Sequence, residues 1–321
     1  MRSVRSVYLR AIGMRLLAGA PVFFLVTFLA TALADFVPGS AALAILGPEA
    51  TPEQIAALNA QYGYDQPVLE RYLTWLGHAL QGDLGTSLFS QQSELGMLVA
   101  RAAVTFEIAL MAMLASLIIA IPLALLSARH PGGIADSVLR AVSSMVLSVP
   151  IFVTVVILGF LFAIVLRWLP ATGWVPLAQD PIGNLQYLAL PMMCNAAGQT
   201  AYFYRVSRGE FVAILQEDFV LVARAKGLST NYILLRHVLR PSLPQVLTVG
   251  GLAMSHLLGG SFIVESYFAA PGIGWTMLLS VANHDLATVQ AVLSLTVIIF
   301  VVIFILVDIG YALIDPRVSV S

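Results

Sequence analysis

Long stretches without a charged residue dominate the hydrophobic pattern of the chain. A helix needs about 20 apolar residues to cross the hydrocarbon core of a bilayer. Six runs predict such spans: Leu17–Ala34, Ile108–Ser127, Ala141–Leu166, Pro181–Tyr204, Pro241–Val264 and Leu286–Val307. A seventh uncharged run, Ser266–Asn283, contains Pro271, Gly272 and Gly274, which break helices. It is predicted to be a loop or a half-inserted segment.

Polar residues and prolines modify two of these spans. The fourth is the most polar and contains Asn184, Gln186, Asn195 and Gln199. Pro150 and Pro191 predict kinks in the third and fourth spans, which suit gating and simple packing equally well.

The basic residues predict the orientation of the spans. With the N-terminus in the cytoplasm, 13 of the 16 Lys and Arg residues lie in cytoplasmic segments, and the positive-inside rule then places both termini there. Arg71, Arg101 and Arg167 fall outside. The first span has a competing interpretation, because its Arg-rich start, apolar run and Ala32-Leu33-Ala34 resemble a cleaved signal peptide.

Composition excludes several classes of protein. The 321 residues are 59% hydrophobic and 10% charged, with a mean hydropathy of +0.91, whereas soluble domains have about 25% charged residues. The fold class is therefore an all-α integral membrane protein. A single cysteine, Cys194, excludes intrachain disulfides and Cys-rich metal sites. The only lysine, Lys226, is not in a Gly-Lys-Ser/Thr loop, so no Walker-type ATP site is expected here.

The segment between the first two spans predicts two short helices. Thr51-Pro52-Glu53-Gln54 forms a capping-box pattern, and Gly63 suits the end of that helix. A second helix is predicted over Pro67–Leu80, ending at Gly82. These helices form either a lid on the outer ends of the spans or a contact surface for a partner or substrate.

The third cytoplasmic loop, residues 205–240, predicts a compact helix-glycine-helix element. Asp218 is expected to cap a helix over Phe219–Lys226, with Gly227 ending it. A second helix is expected to start at Ser229-Thr230 and to end at Pro241. The loop is either a basic segment that fixes topology or a docking element whose small residues admit another protein.

This loop resembles a known family. The segments DFVLVARAKGLS (218–229) and HVLRPSLPQVLT (237–248) are similar to the cytoplasmic signature loop of bacterial ABC-importer permeases, in the dipeptide, oligopeptide and nickel branch. Further similar segments follow the same order: GDLGTS (82–87), TFEIAL (105–110), RWLPATGW (167–174), LLGGSFIVESYF (257–268), PGIG (271–274) and DPR (315–317).

The resemblance implies six transmembrane helices with the type I permease architecture, in a bacterial inner membrane. It divides the chain into a first segment and span (1–35), an extracytoplasmic segment (36–97), a permease core (98–312) and a cytoplasmic tail (313–321). The implied partners are a paralogous second permease, two cytoplasmic ATPases, an extracytoplasmic binding protein and membrane lipid, and no nucleic acid. ATP and Mg²⁺ would be bound by the ATPases, with no cofactor and no enzymatic activity on this chain.

The resemblance also implies a coupling mechanism and a substrate class. The loop helix would dock in an ATPase groove through Asp218, Ala223, Arg224, Ala225, Lys226, Gly227 and Leu228. The substrate would be a short peptide, and nickel complexes, glutathione and opines are the alternatives.

Polar residues inside the spans are candidates for the substrate path. They are Glu107, His256 and Ser261. For the first two, an interfacial carboxylate and a helix–helix hydrogen bond are the simpler interpretations. Asp308 is predicted to lie at the inner membrane interface. Two rival functions remain: an intramembrane serine protease, based on Gly259-Gly260-Ser261, and a proton-driven transporter, which requires buried ionisable relays.

Overall fold

The structure, a computed structural model, describes residues 4–33, 46–47, 49–63, 65–87 and 93–314. The helices are α1 (Val4–Leu33), α2 (Pro52–Tyr62), α3 (Val68–Ala79), α4 (Glu94–Arg129), α5 (Ile134–Ser148), α6 (Ile151–Gly159), α7 (Pro181–Ile214), α8 (Asp218–Ala225), α9 (Thr230–Tyr232), α10 (Leu239–Gly260), α11 (Phe262–Phe268), α12 (Ile273–Ala282) and α13 (Leu286–Ile314). Two π-helical segments, Phe160–Val165 and Ile233–Val238, extend α6 and join α9 to α10.

Helices α4 and α7 form the centre of the bundle. The buried side of α4 is a line of small residues at helical spacing: Ala109, Ala112, Ser116, Ala120, Ala124 and Ala128. Small side chains let helix backbones approach closely, and Ser116 Oγ lies 3.2 Å from the carbonyl oxygen of Ala196 on α7. Because α7 also packs on α5, α6, α10 and α11, it is surrounded on most sides.

An ion pair joins the first and last long helices. Arg15 on α1 donates from Nε and Nη2 to the two carboxylate oxygens of Asp308 on α13, at 2.7 and 3.0 Å. Asp308, expected at the inner membrane interface, is buried against α1 because the guanidinium provides two parallel donors.

The predicted third span is not one helix. The direction of the chain changes by 99° between α5 and the segment Ile151–Val165. Val149 has the extended backbone expected before a proline, and Pro150 lacks the N–H that would continue the helix. The predicted kink is therefore a break.

The predicted fifth span also differs from the sequence interpretation. The helix runs from Thr230 to Gly260 and then bends by 50° into α11, so the prediction that Pro241 ends a helix is wrong. The π-helical segment Ile233–Val238 ends three residues before this proline, and its changed hydrogen-bond register explains how the helix continues without the proline N–H. The run Ser266–Asn283 contains the ten-residue α12, which is too short to cross a bilayer.

Length and composition distinguish the helices that could cross a membrane. Among the described residues, Ile12–Leu33, Glu94–Arg129 and Leu286–Gly310 qualify, and each bent pair counted as one span raises the number to five. The remaining predicted span corresponds to α7, which runs unbroken through Pro191. It is long enough to cross a bilayer but is not apolar enough to qualify as a span by composition.

The two helices predicted between the first two spans, α2 and α3, form where the sequence predicts them. Gln54 N–H donates to Thr51 Oγ1 at 3.3 Å, and Thr51 N–H donates to Gln54 Oε1 at 2.9 Å, which completes the capping box. Gly63 ends α2 with a left-handed φ of 70°. Helix α3 rests on α1 through Tyr72, whose hydroxyl donates to the carbonyl oxygen of Phe24 at 3.2 Å.

Parts of several predictions fall on residues outside this description. These residues are 1–3, the end of the first segment with the start of the extracytoplasmic segment (34–45), 48, 64, 88–92, and 315–321, which include the tail motif at 315–317.

Candidate functional site

The loop predicted to couple to an ATPase is a short helix set between the ends of two long ones. Helix α8 starts after Glu217, so the prediction that Asp218 is its N-cap is wrong by one residue. Asp218 lies in the first turn, where a negative charge interacts favourably with the helix dipole. Gly227 ends the element as predicted, with a left-handed φ of 76° and its N–H 2.9 Å from the carbonyl oxygen of Arg224.

One face of α8 is anchored in the protein. Val220 and Ala223 are buried in a cluster with Phe211 of α7 and with Ile233 and Val238 of the π-helical segment before α10. Ala223, predicted to be a docking residue, therefore packs inside this chain. The anchoring makes α8 a rigid extension of the two long helices on either side.

The other face of α8 projects into solvent. The remaining predicted coupling residues are all exposed: Asp218, Arg224, Ala225, Lys226, Gly227 and Leu228. Large apolar side chains lie beside them, with Phe219, Leu221 and Val222 being 45%, 55% and 53% exposed. Apolar groups grouped on a solvent-facing helix are typical of a protein contact surface.

A buried ion pair braces the last part of α7, ahead of α8. Arg208 donates from Nε and Nη2 to the two carboxylate oxygens of Asp136 at 2.7 and 2.8 Å. Ser127 at the end of α4 also donates to Asp136. The Ser127 hydroxyl oxygen lies 2.8 Å from the hydroxyl oxygen of Tyr204. The backbone N–H of Gly132 completes the set at 2.8 Å. The network joins α4, α5 and α7 at one point.

A second buried network lies at the junction of α4, α11 and α12. Glu265, fully buried, accepts at Oε1 from Ser261 (2.5 Å) and Thr105 (2.7 Å), and at Oε2 from the N–H of Trp275 (2.9 Å). Thr105 in turn accepts from the N–H of Ile273 at 2.8 Å. This carboxylate is therefore held by hydrogen bonds from three elements.

The PGIG motif is explained by this carboxylate. A Cβ at Gly272 would lie 2.5 Å from atoms of both Glu265 and Thr105, and a Cβ at Gly274 would lie 2.7 Å from Cα of Phe262. Both glycines are needed for close approach, since no larger residue leaves room for the Glu265 side chain or the α11 backbone.

A third network attaches the GDLGTS segment to the start of α13. Ser87 Oγ donates to Asp285 at 2.7 Å, and Thr288 Oγ1 lies 2.5 Å from Glu94 and 2.7 Å from Asp285. Gly85, with a φ of 99°, makes the turn that brings Ser87 to this position.

The three residues predicted for the substrate path lie in different settings. The Ser261 hydroxyl is buried and engaged with Glu265. Glu107 is half-buried and interacts with the amide of Asn184, whereas His256 is exposed on α10. In the part of the chain that the structure describes, no hydrogen bond joins any two of the three. Ser261 and His256 do not form the pair that a serine protease requires.

Sequence reasoning missed the groups at the centre of these networks, namely Asp136, Arg208, Glu265 and Asp285. A carboxylate within or beside an apolar run was the available signal, as Glu265 in LLGGSFIVESYF illustrates. Its partners come from distant parts of the chain, so the signal does not identify them.

Known proteins resemble this chain in sequence and in fold. Residues 120–320 match a family described as "Binding-protein-dependent transport system inner membrane component". A protein named as a peptide transport system permease in Brucella abortus (strain 2308) is 33% identical over 304 residues, which cover 95% of this chain and 97% of the relative. The glutathione transport system permease protein GsiC of Escherichia coli (strain K12) is 31% identical with the same coverage.

The fold has a counterpart among solved structures. The MetNI methionine ABC transporter, in an inward-facing conformation, matches with a TM-score of 0.58 and 16% identity, over 69% of this chain and 97% of that chain. This similarity concerns the fold and confirms the predicted permease architecture.

Proposed function

Because the chain belongs to the family of binding-protein-dependent transport system inner membrane components, we propose that it is the permease subunit of an ATP-driven importer of short peptides. It forms half of a translocation pathway in a bacterial inner membrane, with residues 98–312 as its core, and a second, paralogous permease forms the other half. An extracytoplasmic binding protein delivers the substrate, and two cytoplasmic ATPases bind ATP and Mg²⁺.

The observation that carries the coupling role is the two-sided construction of α8. Its inner face is anchored through Val220 and Ala223, and its outer face presents apolar and basic groups. A push on the outer face by a closing ATPase would therefore move the ends of α7 and α10 together. This supports a mechanism in which ATP binding switches the pathway between inward-facing and outward-facing states.

The substrate assignment rests on the relatives and on the branch that the motifs resemble. One relative is named for peptides and another for glutathione, which is itself a tripeptide. Peptides are therefore the first candidate and glutathione the second. Nickel complexes and opines are further candidates from the same branch.

Gly227→Trp tests the coupling role. The assembled complex would be reconstituted in proteoliposomes with ATP inside, and uptake of labelled trialanine and glutathione would be measured with binding protein outside. A bulky side chain at Gly227 is expected to block docking, so the variant should insert normally and lose uptake. Gly82→Trp is the matched control, because Gly82 has a similar φ of 86°, equally open surroundings and a position outside the loop. Normal uptake by the Gly227 variant would refute the coupling role.

Affinity purification tests the partners. The tagged chain, extracted from native membranes in mild detergent, should recover a second permease and proteins with Walker loops. Recovery of the chain alone across several detergents, together with uptake driven by a pH gradient without ATP, would instead support a proton-driven transporter.

A further inference from the structure

We infer that one stripe of α7 lines the translocation pathway, and that the amides of Asn195 and Gln199 on it hydrogen-bond to the backbone of a passing peptide. The inference rests on the proposed function and assigns it a binding site. The stripe is defined by Asn195, Gly198, Gln199 and Tyr202, which recur every three or four residues and therefore share one side of the helix.

The position of α7 indicates what this side faces. The helix packs on α4, α5, α6, α10 and α11, yet it is not apolar enough to qualify as a membrane span by composition. Polar groups facing lipid are costly, and intramembrane polar groups usually face a bundle interior or a water-filled cavity. The side of α7 that its neighbours leave open is therefore better suited to an aqueous pathway than to lipid.

The two amides have unused hydrogen-bonding capacity. Asn195 Nδ2 and Gln199 Oε1 are buried and have no hydrogen-bond partner among the described residues. Asn195 as a whole is only 8% exposed. Buried polar atoms are almost always paired in folded proteins, so two unpaired ones a single turn apart indicate a missing ligand.

The chemistry of the pair matches a peptide backbone. Asn195 Nδ2 is a donor for a peptide carbonyl, and Gln199 Oε1 is an acceptor for a peptide N–H. A Cβ added at Gly198 would meet nothing within 4 Å, and Tyr202 is 38% exposed, so there is open space beside the amides. Rotation of the two side chains would present them to this space. Contacts to backbone groups alone suit a permease that accepts peptides of different sequence.

Water accessibility tests the lining role without knowledge of the substrate. Gly198→Cys and Tyr202→Cys would be made separately in a Cys194→Ala background, assembled into the full complex and treated with a charged methanethiosulfonate reagent. Both positions should react, and trialanine with binding protein and ATP should slow the reaction. Leu25→Cys on the outer helix α1, where Leu25 is 58% exposed, is the lipid-facing control and should stay unreactive. Unreactive stripe positions would overturn the inference.

Uptake tests the role of the amides. Asn195→Leu combined with Gln199→Leu should reduce trialanine uptake at least tenfold, while assembly with the second permease stays intact. If the proposed function is wrong, the unaltered complex itself will not take up trialanine. If only this inference is wrong, the unaltered and leucine variants will transport equally, or the leucine variant will fail to assemble because the amides bind the second permease instead.

Discussion

Replacing Arg208 by glutamine is expected to loosen the junction that braces the last part of α7, ahead of α8. The guanidinium makes two short hydrogen bonds, at 2.7 and 2.8 Å, to the fully buried carboxylate of Asp136. Glutamine keeps much of the side-chain volume but removes the charge and the paired donors. The buried carboxylate then loses its principal counter-charge.

The size of the effect follows from the burial of the carboxylate. Removing one partner of a buried ion pair costs about 3–5 kcal/mol. Asp136 keeps the N–H of Gly132 at 2.8 Å and has Arg140 at 3.5 Å, so the lower end of this range is expected. A loss of about 3 kcal/mol changes the unfolding equilibrium on the order of a hundredfold.

The assay is unfolding of the purified complex in mixed micelles with increasing dodecyl sulfate, followed by circular dichroism. Arg205→Gln is the matched control, because Arg205 is exposed on the same helix. Asp136→Asn with Arg208→Gln completes a double-mutant cycle and should be less destabilised than the sum of the single variants. Equal midpoints for the Arg205 and Arg208 variants, or a coupling energy near zero, would refute the reasoning.

Three further predictions concern packing and caps. Gly272→Ala and Gly274→Ala should each destabilise the complex by about 1–3 kcal/mol. The effect of Gly274→Ala should be the larger, because its Cβ meets the backbone of Phe262, whereas that of Gly272 meets the ends of two hydrogen-bonded side chains. Thermal unfolding that ranks the two variants the other way would contradict this. Asp308→Asn should weaken the contact between α1 and α13 by about 2 kcal/mol. An unchanged midpoint of unfolding in dodecyl sulfate would mean that the ion pair contributes nothing to stability. Thr51→Ala should lower the opening free energy of α2, measured by hydrogen exchange, by about 1 kcal/mol, whereas Thr51→Ser should preserve it. Equal protection in both variants would disprove a stabilising capping box.

The three buried networks have a common arrangement that bears on transport. Each joins α4 to another element: Ser127 near its last turn contacts α5 and α7, Thr105 in its first third contacts α11 and α12, and Glu94 at its first residue contacts the start of α13. Helix α4 therefore connects the region next to α8 with the junctions at its opposite end. A movement of α8 would reach those junctions through packed helices.

The sequence by itself determined the features that depend on residues close together in the chain. The Thr51–Gln54 capping box spans three positions, and the left-handed turn at Gly227 needs only a residue without a Cβ. The apolar runs place most of the membrane helices because the bilayer sets their length. The motif at 218–248 identified the family because its order and spacing are specific.

Only the tertiary structure decided which polar groups meet. Arg208 and Asp136 are 72 positions apart, Thr105 and Glu265 are 160 apart, and Arg15 and Asp308 are separated by 293. The same holds for the break at Pro150, since a proline predicts an interruption but packing sets its angle of 99°. A local pattern reports the preferences of a few adjacent residues, whereas a buried ion pair or a helix angle depends on how whole helices pack against one another.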